Sequence, residues 1–197
     1  MKKWTYILAA GFLLAGCSQG EGLKQKKQAG EEVITVKASE LFKGGEKALQ
    51  PHLHIQGDAV ILNKPSDVAI TFDIWQNGKI AQKGSRLSND PQGDIKEVSF
   101  SLQPDLSNKN SQLVTIACNG NELSLSSSVD VPSDTSISWA ADLAENAGDE
   151  GLKIKPDERK AVWGYGMNKV NGAASSTTEE SIQQADWGML IYIEAAR

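Results

Sequence analysis

Cysteine and histidine are both scarce in this 197-residue chain, with two of each. No Cys-x-x-Cys pair occurs, so the compact zinc and redox motifs are excluded. There is no His-Glu-x-x-His, no Gly-x-Ser-x-Gly elbow and no glycine-rich phosphate loop ending in Lys-Ser/Thr, which removes the enzyme classes those motifs announce. A basic surplus is also missing. Twenty Lys and Arg face 25 Asp and Glu, a net charge of −5, so nucleic acid is a poor partner. No internal repeat of domain length is visible, and no apolar run reaches the ~20 residues of a membrane-spanning helix.

What is present begins at the amino terminus. Lys2 and Lys3 precede an apolar stretch from Trp4 to Leu14, interrupted only by Thr5, and small residues follow at Ala15 and Gly16. Basic start, short apolar middle and small residues are the parts of a secretory leader. The next residue is Cys17, so the stretch ends Leu14-Ala15-Gly16-Cys17. This resembles the lipobox of bacterial lipoproteins. The resemblance covers the leader and the cysteine alone. It implies that residues 1–16 are removed as a signal peptide, that the Cys17 thiol receives a diacylglyceryl group and that the new amino terminus is open to acylation. It also implies membrane lipid as a partner through Cys17. The location would be the cell envelope, on the outer face of the cytoplasmic membrane or on an outer membrane where one exists. Two or three acyl chains anchor stably where one chain is marginal.

Residues 17–32 contain Gly20, Gly22, Gly30, three glutamines and the small basic cluster Lys24, Lys26 and Lys27. This is the composition of a solvated tether. With Cys17 acylated, Cys118 is the one thiol left and has no disulfide partner. It ends the apolar run Leu113 to Cys118, where a free cysteine behaves as a small buried hydrophobe.

Residues 33–197 read as one domain of strands. In Val68 to Trp75 the large apolar side chains fall at Val68, Ile70, Phe72 and Ile74, a period of two that places them on one face. Asn77-Gly78 then suits a tight hairpin turn. Val98, Phe100 and Leu102 alternate in the same way. Leu113 to Cys118 is followed by a second turn signal, Asn119-Gly120-Asn121, and by Leu123, Leu125 and Val129. His52–Leu62, Ala161–Met167 and Trp187–Glu194 add further strands. Short helices are expected over Ser39–Leu49 and Trp139–Ala147, the latter capped at Gly148, and after the capping-box spacing at Thr177 to Glu180. The expected fold is all-β, an antiparallel β-sandwich with one to three short helices, for which an immunoglobulin-like arrangement is one form.

Candidate sites are few. His52 and His54 lie in Pro51-His52-Leu53-His54; on a strand their imidazoles would leave one face about 7 Å apart and, with an acid such as Asp58 or Asp73, could ligate a metal ion. The competing reading is two exposed polar residues at a strand start. Trp163 and Tyr165 alternate with Gly164 and Gly166, and Trp187 adjoins Gly188. Glycine beside a large ring exposes backbone to close packing, by the protein's own core or by a ligand stacked on Trp163, Tyr165 and Trp187. The connection Asn168 to Asp186 is long for a hairpin, and long loops on sheets carry binding functions.

These features point to a non-enzymatic binding or interaction module at the membrane surface, with no cofactor and with an envelope protein or glycan as partner. Two alternatives stand beside it. One is an envelope enzyme, metal-dependent through His52 and His54 or a cell-wall hydrolase using Asp73, Asp94 and Asp186. The other is a structural envelope protein.

Overall fold

The period-two runs become strands of two sheets. A computed structural model of the chain describes residues 33–88, 95–120, 122–169 and 177–195; the lipobox, the tether and Asp94 lie outside the described residues. In chain order the strands are β1 (Ile34–Ser39), β2 (Gln56–Ser66), β3 (Val68–Gln76), β4 (Lys79–Lys83), β5 (Leu87–Ser88) and β6 (Ile95–Pro104). They continue as β7 (Ser111–Cys118), β8 (Leu123–Asp130), β9 (Thr135–Asp142), β10 (Leu152–Ile154), β11 (Arg159–Lys169) and β12 (Trp187–Ala195). Two helices, α1 (Gln50–Leu53) and α2 (Glu179–Gln183), and two 3-10 segments, Gly44–Leu49 and Glu145–Glu150, interrupt them.

One sheet runs β10-β1-β2-β6-β7-β8 and the other β4-β3-β12-β11-β9, with β5 also on β3. Neighbouring strands are antiparallel. The chain crosses from the first sheet to the second through Asp67 alone, between β2 and β3. The twelve strands of the described residues exceed the roughly seven to nine of an entire immunoglobulin domain. The fold is an all-β sandwich with its own strand order.

Local chemistry explains the turns. β3 and β4 are joined by Asn77 and Gly78, both with positive φ (49° and 79°), the two-residue turn whose twist matches that of paired strands. Asn119 and Gly120 also have positive φ. The Asn119 side chain accepts hydrogen bonds from the backbone N–H groups of Lys96 (2.9 Å) and Glu97 (3.2 Å), which ties the β7–β8 turn to the start of β6.

The core lies between the sheets. Val60, Leu62, Val98, Phe100, Leu102, Val114 and Ile116 of the first sheet meet Val68, Ile70, Phe72, Trp163, Trp187, Met189 and Ile191 of the second, all buried. Phe100 and Trp163 contact each other across the sheets with ring centroids 5.4 Å apart. A register shift between Ala161 and Trp163 turns both Val162 and Trp163 inward, so β11 departs from strict alternation there. Cys118 is buried and free, and burial pushes its thiol up to about 11.

Three local expectations are corrected. Trp139 does not begin a helix: Ile137, Trp139 and Ala141 are the more buried alternate residues of β9, and the turn starts only after Asp142, whose carboxylate accepts the Glu145 N–H at 2.9 Å. The helix expected over Ser39–Leu49 is a 3-10 segment confined to Gly44–Leu49 and continued by α1. The strand expected from His52 starts at Gln56, because Pro51 occupies the first turn of α1, a position its fixed φ favours.

Candidate functional site

The residues expected to hold a ligand do not form one surface. Trp163 and Trp187 are 1% and 0% exposed, so neither ring offers a face for stacking. Trp163 is held between Phe100 and Tyr165, the latter stacked at 6.2 Å and 14°. The Trp187 indole N–H donates to the Asp130 carbonyl across the sandwich at 3.0 Å. Tyr165 is half-buried against the same core. The aromatic surface site is therefore replaced by a core role for both tryptophans.

The glycines beside these rings do accept close packing, and the protein's own chain supplies it. A Cβ on Gly166 would overlap the Trp139 ring, and one on Gly164 would press on Ile182 and Leu190. Ile182 of α2 is fully buried over β11 and β12, in a second, smaller apolar cluster with Ala141, Ala161, Leu190 and Tyr192. Several bonds hold α2 there. Asn77 and Gly78 donate to the carbonyls of Ala185 and Gln183, each at 2.9 Å, and Thr178 and Ser181 form a reciprocal capping box. The cap uses Thr178 with Ser181 in place of the expected Thr177 with Glu180. Residues 170–176 of the long connection lie outside the described residues; beside it, Gln76, Asn77, Pro132, Asp134, Lys169 and Asp186 line a shallow polar hollow of about 310 Å³.

His52 lies in α1 and His54 is its left-handed cap (φ 52°); both are exposed. The two imidazoles thus lack the shared strand face on which a metal site was expected. Among the described residues, no group of three or more His, Cys, Asp or Glu side chains is arranged to hold a metal ion.

Of the acids expected for catalysis, Asp73 is 2% exposed and accepts a 2.8 Å hydrogen bond from Arg159. Arg159 also donates to Thr71 at 2.9 Å and lies 3.7 Å over the Tyr192 ring. That cluster braces the outer face of β3. Asp186 accepts the backbone N–H of Lys169 at 2.9 Å. Both are committed to structure.

A different pair of carboxylates is set where the alternation calls for apolar residues. Asp58 pairs with Phe100 between β2 and β6, and Asp142 pairs with Trp163 between β9 and β11. Directly opposed residues of an antiparallel pair share a face, so both carboxylates lie on the inner side, flanking the Phe100–Trp163 contact. They open into a cleft of about 440 Å³ lined also by Leu41, Phe42, Gln50 and Glu145. Partial burial raises the Asp58 carboxyl to about 6, helped by the nearby Asp142, Glu145 and Glu40 charges. Burial raises Asp142 as well, against the stabilising N–H of Glu145. A pair of inward acids held above their ordinary range in a concave site is a functional-site candidate on physical grounds. Sequence reading noted Asp58 but missed Asp142, which the expected helix over Trp139–Ala147 concealed.

Comparison with protein-family models, with curated proteins and with solved structures found no match for this chain. No helix among the described residues is long and apolar enough to cross a membrane.

Proposed function

We propose that this chain is a lipid-anchored extracytoplasmic binding module, acylated on Cys17 and carried on a polar tether, whose partner is an envelope protein or glycan. One observation carries the reading: Leu14-Ala15-Gly16-Cys17 closes a leader of matching anatomy, and a polar spacer and a sandwich follow it. A module of this kind needs a rigid scaffold and an anchor rather than a reacting centre. The first test is Cys17→Ala in the producing cell. Lipid transfer and leader removal should stop. Mass spectrometry of the wild-type mature terminus should find Cys17 as the first residue with acyl mass attached, and an unmodified terminus or cleavage elsewhere would overturn the assignment.

A second reading, an envelope hydrolase, draws on the Asp58–Asp142 pair. An acid kept protonated to about pH 6 beside another carboxylate is the combination that glycoside hydrolysis uses. Release of soluble fragments from isolated cell wall, abolished by Asp58→Asn and by Asp142→Asn, would establish it. No release by the wild-type protein would leave the binding reading in place.

A further inference from the structure

The ten residues Gly44–Leu53, which lie between β1 and β2, bury none of their side chains. Two of them are large and apolar. Leu49 and Leu53 are 52% and 51% exposed, and their spacing of four places them on one side of the helical stretch. Among the described residues the other exposed large apolar side chains are Ile80 on β4 and Leu106 in the connection between β6 and β7, each without an exposed apolar neighbour of its size four residues away. Both leucines of the helical stretch keep about half of their surface in water on a segment that contributes no buried residue. Exposed apolar groups gathered on one edge mark a contact with something else.

We infer that the Leu49–Leu53 edge seats on the lipid surface in which Cys17 is anchored, an inference that rests on the acylation of Cys17 proposed above. Chain length supports this choice of occupant. Seventeen residues, Cys17 to Val33, precede β1. A chain of that length can reach roughly 55–60 Å when fully extended, and a random coil of the same length averages roughly 20–25 Å between its ends. The leucines follow the far end of β1, a six-residue strand of about 20 Å, a length that a chain of seventeen residues exceeds when extended. The tether also holds the domain at high effective concentration against the bilayer, where a contact too weak to recruit a free protein is still populated.

Charge does not drive the contact. The protein is net acidic and is repelled by an anionic leaflet over most of its surface. Around the leucines, Lys43 and Lys47 face Glu40, Glu46 and Glu97, and Asp58, Asp142 and Glu145 lie in the cleft that Lys47 and Gln50 also line. Lys47 is paired with Glu40 at 2.6 Å, and Lys43 lies 3.6 Å from Glu97. With both lysines paired to acids, the edge would rest at a headgroup boundary through buried apolar area and not through charge.

The test uses the full acylated protein reconstituted into vesicles of phosphatidylcholine and phosphatidylglycerol. An environment-sensitive fluorophore is attached through Ala48→Cys, with Ile80→Cys as the reference position. Cys17 is capped by lipid and Cys118 is buried, so one site is labelled in each protein. The Ala48 label should shift to the blue on reconstitution and be quenched several-fold more strongly by nitroxide-bearing lipids than the Ile80 label. Adding Leu49→Ser and Leu53→Ser should bring its quenching down to the reference. A protein that co-floats with the vesicles while the Ala48 label stays solvent-like overturns the docking and leaves the anchor intact. A blue shift that grows with protein density and ignores lipid quenchers assigns the edge to a second copy and overturns the docking as well. Absence of acyl mass on Cys17 together with loss of co-flotation removes the anchor, and the docking falls with it.

Discussion

Gly188 on β12 and Ile182 on α2 lie backbone against backbone: a Cβ added to the glycine would overlap the carbonyl oxygen of Ile182. A peptide oxygen cannot rotate away as a side chain can, so Gly188→Ala must lift α2 or bend a central strand. Overpacking of this kind should cost about 2–3 kcal/mol in denaturant melts. Gly45→Ala, whose Cβ would meet nothing within 4 Å, should change stability by less than about 0.5 kcal/mol. Equal effects at the two positions would mean that α2 does not rest on Gly188.

That contact also marks the boundary of what sequence reading can reach. The alternation of Val68, Ile70, Phe72 and Ile74, and of Val98, Phe100 and Leu102, is a local property of neighbouring residues, and the strands and the apolar face followed from it. Asn77-Gly78 announced its hairpin because positive φ is a demand on the residue itself. Gly164, Gly166 and Gly188 were legible as places of close approach. That Ile182 and Trp139 make the approach depends on pairings between distant segments. The same limit hid the cleft: Asp58 and Asp142 come from different sheets and meet because Phe100 and Trp163 pack across the core. Pro51 was the one local signal against a strand at His52 and His54, since it fits the first turn of a helix.

The two faces of β3 provide a second test. Phe72 is fully buried between the sheets, and its ring fills the place a Cβ on Gly84 would take. Phe72→Ala should cost roughly 3–5 kcal/mol through the cavity it leaves. Thr71 points to the other face, half-buried, and receives one hydrogen bond from Arg159. Thr71→Ala should cost about 0.5–1.5 kcal/mol. Chemical denaturation of both variants compares them directly, and similar losses would contradict the assignment of faces.

Removing Arg159 should be worse than removing the whole pair. Asp73 is almost completely buried while its partner remains a third exposed, so Arg159→Leu strands a charge in the protein interior. The loss should be about 3 kcal/mol, and Asp73→Leu together with Arg159→Leu should recover much of it, because the desolvation cost disappears with both charges. Melting of the two single variants and the double variant closes the cycle. A double variant as unstable as the sum of the singles would show that the two residues act independently.

The cleft predicts an unusual dependence of stability on pH. Asp58 titrates at about 6 in the folded protein against an ordinary value of 3.8, and Asp142 is shifted in the same direction. Between those values the folded state binds protons that the unfolded state has released. Stability contributed by the protonated acid is therefore fully present below about pH 4 and is lost as pH rises through about 6. Asp105, Asp134, Glu150 and Glu158 are shifted the opposite way, and their contribution is lost only as pH falls below the ordinary carboxylate range, so the two effects separate. After allowance for the water that reaches a half-buried group, the decline from pH 4.5 to 7.5 should be about 1–2 kcal/mol. Asp58→Asn keeps the shape of the side chain but cannot ionise. It should flatten that slope and make the protein more stable than wild type at pH 7.5 by about 1 kcal/mol. Urea melts across the range measure both effects, and an unchanged slope in the variant would show that Asp58 does not titrate in this window.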